Sequence, residues 1–329
     1  MTYGSTHRFC ALGRYRTLTV RYALGRVSYA VFILLLASVV TFLALRATPG
    51  NISNSLINPA TTPPEVIAEL RSDLGFDDSL PKQYWDHTSG VLTGDLGFSL
   101  SNRTPVSDLI KDAGLYTLAL AAAAFLIAFG LGVPFGMLSA INAGGWFDRV
   151  LRLACSVAQS IPNFVLALVA VLIFGVKLGW LPVSGATSWK SLVLPAVVLA
   201  AEPGALTTRV TRTAVLEQLG ADYTRTLRSR GLTKRRINWI HVLRNSLSPI
   251  ISLGAVQIRT LLGYTLVVEV IFRWPGLGTK LVDAVLDRDY PVAEVLALLL
   301  AAVVVGSNTL SDLLYRWADP RVRLSKSDT

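Results

Sequence analysis

TRVTRTAVLEQLGADYTRTLRSRGLTKRRINWIHVLRNSLSP, residues 208–249, decides how this chain is read. From Arg209 to Arg244 it holds nine basic side chains and two acidic ones, and apolar runs lie on both sides of it. Each of those charges would cost about 2.5–3.5 kcal/mol at the centre of a bilayer. The stretch is therefore a water-facing loop between two membrane spans. Within it, the spacing predicts a helix over Val215–Arg230, with Leu216, Leu219, Tyr223 and Leu227 on one face and Arg225 and Arg228 off that face. Gly231 fits a helix C-cap, and Arg228 and Arg230 in the last turn complement the helix dipole. A second helical stretch, about Lys234–Leu247, leads into the next span at Pro249. Such an amphipathic helix can anchor on anionic membrane lipid. Its glycine stop and sharp return equally suit a knob that inserts into a partner protein.

Working outward, the rest of the chain is built of apolar blocks. It is 52% hydrophobic and 16% charged, with a mean hydropathy of +0.51. Six runs approach the roughly 20 residues needed to cross a bilayer: about Val27–Arg46, Gly114–Leu138, Leu151–Val176, Ser191–Val210, Leu247–Phe272 and Val292–Tyr315. The expected fold is an all-α polytopic membrane protein with six transmembrane helices. The first run has an apolar core of about 19 residues, longer than a signal-peptide core, and reads as a retained span.

The expected organisation is a tail (1–26), a first span (27–46), an extracytoplasmic segment (47–113), a core (114–315) containing a loop over 211–246, and a second tail (316–329). Of the 31 Lys and Arg residues, 20 fall on one side of this scheme, including Arg8, Arg14, Arg16, Arg21 and Arg26 ahead of the first span. The positive-inside bias puts that side, and both termini, in the cytoplasm. It also accounts for the net charge of +10 without nucleic acid. Cys10 falls in the cytoplasmic tail and Cys155 near the start of the third span, so no structural disulfide is expected.

Residues 46–113 hold nine acids and five bases, with a helix signal from Thr62 or Pro63 through Val66, Ile67, Leu70 and Leu74. This segment is at least a solvated cap; its functional reading is a docking surface for a soluble partner. In the spans, Gly132 and Gly136 have the spacing of a close helix contact. Ser160-Ile161-Pro162 interrupts the third run and Glu202-Pro203-Gly204 breaks the fourth. Glu202 and Arg259 lie mid-way along the fourth and fifth runs, where they are expected to pair or line a wet pathway, the alternative being a separate partner for each. Gln257 and Glu269 lie on the same helix as Arg259.

Residues for catalysis are missing. Gly276-Leu277-Gly278-Thr279-Lys280 lacks P-loop spacing, and His7, His87 and His241 are scattered. Neither a G-x-S-x-G elbow nor an H-E-x-x-H helix occurs. The chain is expected to be non-enzymatic and to hold no cofactor of its own.

One ordered set of motifs points further. Ala221-Asp222-Tyr223-x-Arg225-Thr226-x-Arg228-x-x-Gly231-Leu232, then His241-x-Leu243-Arg244-Asn245-x-Leu247-x-Pro249, resembles the cytoplasmic loop of peptide-type ABC importer permeases. The likeness runs along nearly the whole chain. It includes Arg46 with Pro49-Gly50, Gly94-Asp95-Leu96-Gly97 with Ser99, Ser160-Ile161-Pro162, and Leu178-Gly179-Trp180-Leu181-Pro182. It continues through Glu269-x-Ile271-Phe272, Pro275-Gly276-Leu277-Gly278, Arg288-Asp289-Tyr290-Pro291, Asn308, Asp312, Tyr315 and Asp319-Pro320-Arg321. Arg259 stands where the family has an apolar or small residue, and Leu227 where it has a small one.

The long first external segment resembles that of the first of two paired permeases. The resemblance implies a second homologous permease, two ATP-binding cassette subunits that carry ATP and Mg, an external solute-binding protein and a peptide substrate. It assigns coupling to the ATPase to Ala221, Asp222, Tyr223, Arg225, Thr226, Arg228, Gly231 and Leu232. Glu202, Gln257, Arg259 and Glu269 are the candidate pathway residues. The same machinery would serve nickel chelates, glutathione or another small solute. A stand-alone channel or proton-coupled carrier is the reading from a different class; it would work alone on an ion gradient, whereas an importer subunit is inert without an ATPase.

Overall fold

The computed structural model describes residues 6–47, 65 and 77–318, with side chains over 25–47, 65 and 77–309. Every regular element among them is helical: α1 (Thr6–Ala47), α2 (Leu80–Thr93), α3 (Val106–Ile141), α4 (Trp146–Ser160), α5 (Asn163–Lys177), α6 (Trp189–Gly220), α7 (Asp222–Ser229), α8 (Lys234–Ile271), α9 (Leu277–Leu286) and α10 (Tyr290–Ala318). Five of them are long and apolar enough to cross a membrane, and counting α4 with α5 as one broken span gives six. The helix carrying the first span begins at Thr6, and its apolar, membrane-length part is Gly25–Ala47, in keeping with the expected Val27–Arg46. The helix signal after Thr62, the Pro49-Gly50 motif and the Asp319-Pro320-Arg321 motif lie outside the described residues, as do the side chains of Asp312 and Tyr315.

Small residues draw α3 and α6 together at the centre. Leu120, Ala124 and Ala128 of α3 pack with Leu194, Val198 and Leu199 of α6, and Leu261 and Val268 of α8 complete that core. Gly132 and Gly136 form the expected close contact. A Cβ on Gly136 would sit 2.5 Å from the Thr208 carbonyl oxygen and 2.6 Å from Thr211 Cβ. Gly136→Ala is accordingly expected to cost about 1–3 kcal/mol. Thermal unfolding in detergent reads the loss, and an unchanged midpoint would refute the contact. Outward, Phe32, Leu36, Val40, Leu118 and Leu126 are exposed around the spans, as hydrocarbon contact requires.

Two expectations about interruptions resolve differently. Glu202-Pro203-Gly204 does not break its span: α6 runs on through Pro195 and Pro203. In hydrocarbon the backbone has no water to turn to, so the helix persists. Thr207 and Thr208 hydroxyls donate to the Pro203 and Gly204 carbonyls at 2.8 Å each, and Gly204 packs on Ala128. Ser160-Ile161-Pro162 does break its run, with a 106° bend between α4 and α5. Ile161 is extended (φ −92°, ψ 122°), as a residue before proline prefers.

At the end of the bundle away from the basic loop, buried charges hold the connecting segments. Asp289, ahead of α10, accepts the Ser99 hydroxyl and the Leu100 and Ser101 N–H groups (3.1 and 3.2 Å). Glu294 of α10 pairs with Arg46 of α1 and lies 3.1 Å from His87 Nδ1 of α2. Burial pushes His87 below its ordinary 6.5 and Arg46 adds to this, while Glu294 opposes it. The unfolded histidine then takes up a proton first. The stabilisation of α2 is full above about pH 6.5 and falls as pH drops below it. Hydrogen exchange of the α2 amides, corrected for intrinsic rate, should show protection lost from pH 7.5 to 5.5. His87→Gln should flatten that dependence; a wild-type profile independent of pH would contradict it.

Candidate functional site

The basic loop folds as a helix-turn resting on the bundle. Val215–Arg230 is not one helix, as expected, but two: α6 ends at Gly220, Ala221 is extended (φ −71°, ψ 147°), and α7 starts at Asp222. The reason is local. The buried Thr224 hydroxyl bonds the Ala221 and Leu219 carbonyls at 2.7 and 3.1 Å, capturing acceptors that a continuous helix would use. Asp222 then places a negative charge at the new N-terminus. The Tyr223 hydroxyl, 3.1 Å from Gln218 Oε1, ties α7 back to α6.

Leu216, Leu219 and Leu227 of the expected face nonetheless pack as their spacing predicts, while Tyr223 turns to Gln218 and the neighbouring recess. Leu216, Leu219, Leu227 and Leu232 cover a small core of Met137, Ala140, Val215, Ile237 and Val242. Gly231 takes a left-handed φ of +77°, with its N–H on the Arg228 carbonyl at 3.0 Å and the Leu232 N–H on that of Leu227 at 3.3 Å. That closes α7 and reverses the chain. Thr233 caps α8 through the Arg236 N–H at 3.4 Å. α8 is continuous from Lys234 to Ile271, with a π stretch over Ile237–Val242 and Pro249 inside, so the expected helical stretch from Lys234 runs directly into the span.

The result is a short helix held at both ends and open outward. Asp222, Arg225, Thr226, Arg228 and Gly231 are exposed or partly so along its outer side, while Ala221, Tyr223 and Leu232 are half-buried. Beside α7 lies a cavity of about 420 Å³ lined by Tyr223, Thr226, Leu227, Arg230, His241 and Arg244. A rigid, charged projection next to an open recess can receive a complementary surface and pass its motion to α6 and α8, which it joins.

The expected pathway residues do not gather. Among the described residues Glu202 and Arg259 form no ion pair; Glu202 is half-buried and Arg259 exposed. Gln257 is buried at 3% exposure. Glu269 is committed elsewhere, because its fully buried carboxylate accepts Thr117 Oγ1 and the Gly278 N–H, both at 2.7 Å. A Cβ on Gly276 or Gly278 would collide with that carboxylate, which is why the Pro275–Gly278 turn reads as it does.

A clamp near the loop end has no counterpart among the sequence motifs. Asp148 at the start of α4, wholly buried, receives Arg212 of α6 in two bonds (2.7 and 2.9 Å), Ser139 of α3 at 2.6 Å and the Gly144 N–H at 3.0 Å. The separation of Arg212 from the others along the chain leaves no local signal.

Comparison with known proteins decides what this architecture belongs to. The family described as "Binding-protein-dependent transport system inner membrane component" matches residues 132–324. The companion family for the N-terminal part of such membrane components matches residues 19–121. The chain belongs to this family. It is a multi-pass inner-membrane permease subunit of a binding-protein-dependent ABC importer. The permease is 36% identical over 304 residues to the glutathione transport system permease protein GsiC of Salmonella choleraesuis (strain SC-B67), covering 92% of this chain and 99% of that one. It is 34% identical over the same length to the GsiC protein of Escherichia coli (strain K12), with the same coverage. In fold it is similar to a chain of the MetNI methionine ABC transporter in an inward-facing conformation. The TM-score is 0.54 at 20% identity, over 64% of this permease and 96% of that chain.

Proposed function

We propose that the permease passes small peptides, glutathione-like molecules among them, from an external binding protein to the cytoplasm. The reading holds that α7 is the element driven by an ATP-binding subunit. The observation that carries the coupling role is the build of α7: anchored by Thr224, Tyr223 and Gly231, it turns Asp222, Arg225 and Arg228 outward. The peptide class is supported by relatives named for glutathione, itself a small peptide, at 34–36% identity. In this proposal a second permease completes the pathway. Two partner subunits bind ATP and Mg and hydrolyse the nucleotide. The termini and α7 face the cytoplasm, in keeping with the arginine-rich inner side.

The assembly is tested by capture. A cysteine placed at Arg225 should cross-link to a nucleotide-binding subunit in membranes, and tagged chain should bring down a second permease. The expected yield rises or falls when ATP is added, because the α7 seat moves with the nucleotide state. Cross-linking to lipid alone, with a solitary chain recovered, would refute it.

A further inference from the structure

Two neighbouring cavities beside α4 share part of their walls, and together they describe one ligand. The first, about 280 Å³, is lined by three arginines, Arg152, Arg209 and Arg212, together with Leu151, Cys155 and Ser156. Three cations face one carboxylate there, Asp148. Arg212 holds it in two bonds and Arg152 Nε is 3.5 Å away, while the contact of Arg209 is Ser156 Oγ at 3.4 Å. The recess therefore keeps an excess of two positive charges. The second cavity, about 270 Å³, shares Cys155 and Thr208 with the first. It continues between α3, α4 and α6 along Leu131, Phe135, Ala154, Ala158, Ala201 and Gly204, with no charged residue.

The helix between them has the pattern of a membrane-surface element. Trp146, Val150, Leu153 and Val157 of α4 recur at i, i+4, i+7 and i+11 and are 49–77% exposed. α4 lies at 106° to α5, across that segment instead of along it. A helix with an outward apolar stripe and arginines behind it rests at the headgroup boundary. Basic recesses between helices at that depth take anionic headgroups.

We infer that this double cavity binds an anionic phospholipid, its phosphodiester between Arg152 and Arg209 and one acyl chain in the groove against Ala158 and Ala201. The charge sets the headgroup chemistry and the adjoining apolar cavity sets the amphiphile; a free anion would use only the first half. A bound lipid there bridges α4 and α6 next to the Asp148–Arg212 clamp, and so bears on how α6 leads into α7.

Native mass spectrometry of the detergent-purified full chain, with whatever subunits accompany it, tests the site. Phosphatidylglycerol should be retained over phosphatidylcholine, and millimolar inorganic phosphate should not displace it. Arg152→Gln with Arg209→Gln, which leaves both Arg212–Asp148 bonds in place, should lower retention roughly tenfold to thirtyfold, since each basic residue near anionic lipid contributes about fivefold. A photoactivatable phosphatidylglycerol on the unmodified protein should label α4 and α6, and this arm needs no variant to fold. Equal retention of both lipids, competition by inorganic phosphate, labelling elsewhere, or undiminished retention in the double variant would each overturn the site.

Discussion

Gly231→Pro is expected to abolish solute uptake while the chain still inserts and assembles. Gly231 sits at φ +77° and donates its N–H to Arg228. Proline holds φ near −65° and has no N–H, so it forbids both. Open space surrounds the α-carbon, so the damage is to the turn and not to packing. Strain of about 1–3 kcal/mol then falls on α7 alone, leaving the spans as they were. Transport should drop by more than about tenfold, as befits an element whose position must be held closely. Gly231→Asn, which tolerates the left-handed backbone, should retain most uptake. Normal uptake with membrane-inserted Gly231→Pro would remove α7 from the coupling role.

Arg212→Leu is expected to be the most destabilising single change near the loop. It leaves the Asp148 carboxylate, fully buried, with only Ser139, Gly144 and the half-exposed Arg152, whose Nε is 3.5 Å away, around it. Breaking a buried pair from one side costs about 3–5 kcal/mol. Arg212 remains partly open to water, which puts the expected loss at the lower end of that range. Replacing both partners, Asp148→Asn with Arg212→Leu, should recover part of the loss. Denaturation midpoints of the two single variants and the double variant decide this; strictly additive losses would show that the clamp does not act as a unit.

Much of the architecture was legible because hydrocarbon imposes a coarse rule. Long apolar runs had to be helices, and the arginine-rich stretch had to leave the membrane. The turn at Gly231 was readable because a left-handed C-cap has a residue signature. The break at Ala221 was not, since Leu216, Leu219, Tyr223 and Leu227 keep helical spacing across it and only the Thr224 side chain ends the first helix. Pro203 misled for the opposite reason: in water it would end a helix, and in a packed span it does not. Glu202 and Arg259 matched in depth along two helices, but depth does not determine which way a side chain turns. Glu269 was visible as a charge within a span; its partners Thr117 and Gly278, on other segments, were not.

Uptake into proteoliposomes tests the central claim most directly. The chain, reconstituted with its co-purifying permease and ATPase subunits and supplied with binding protein, should accumulate labelled peptide or glutathione only when ATP is present on the α7 side. Uptake by the solitary chain, driven by an ion gradient and indifferent to ATP, would contradict it.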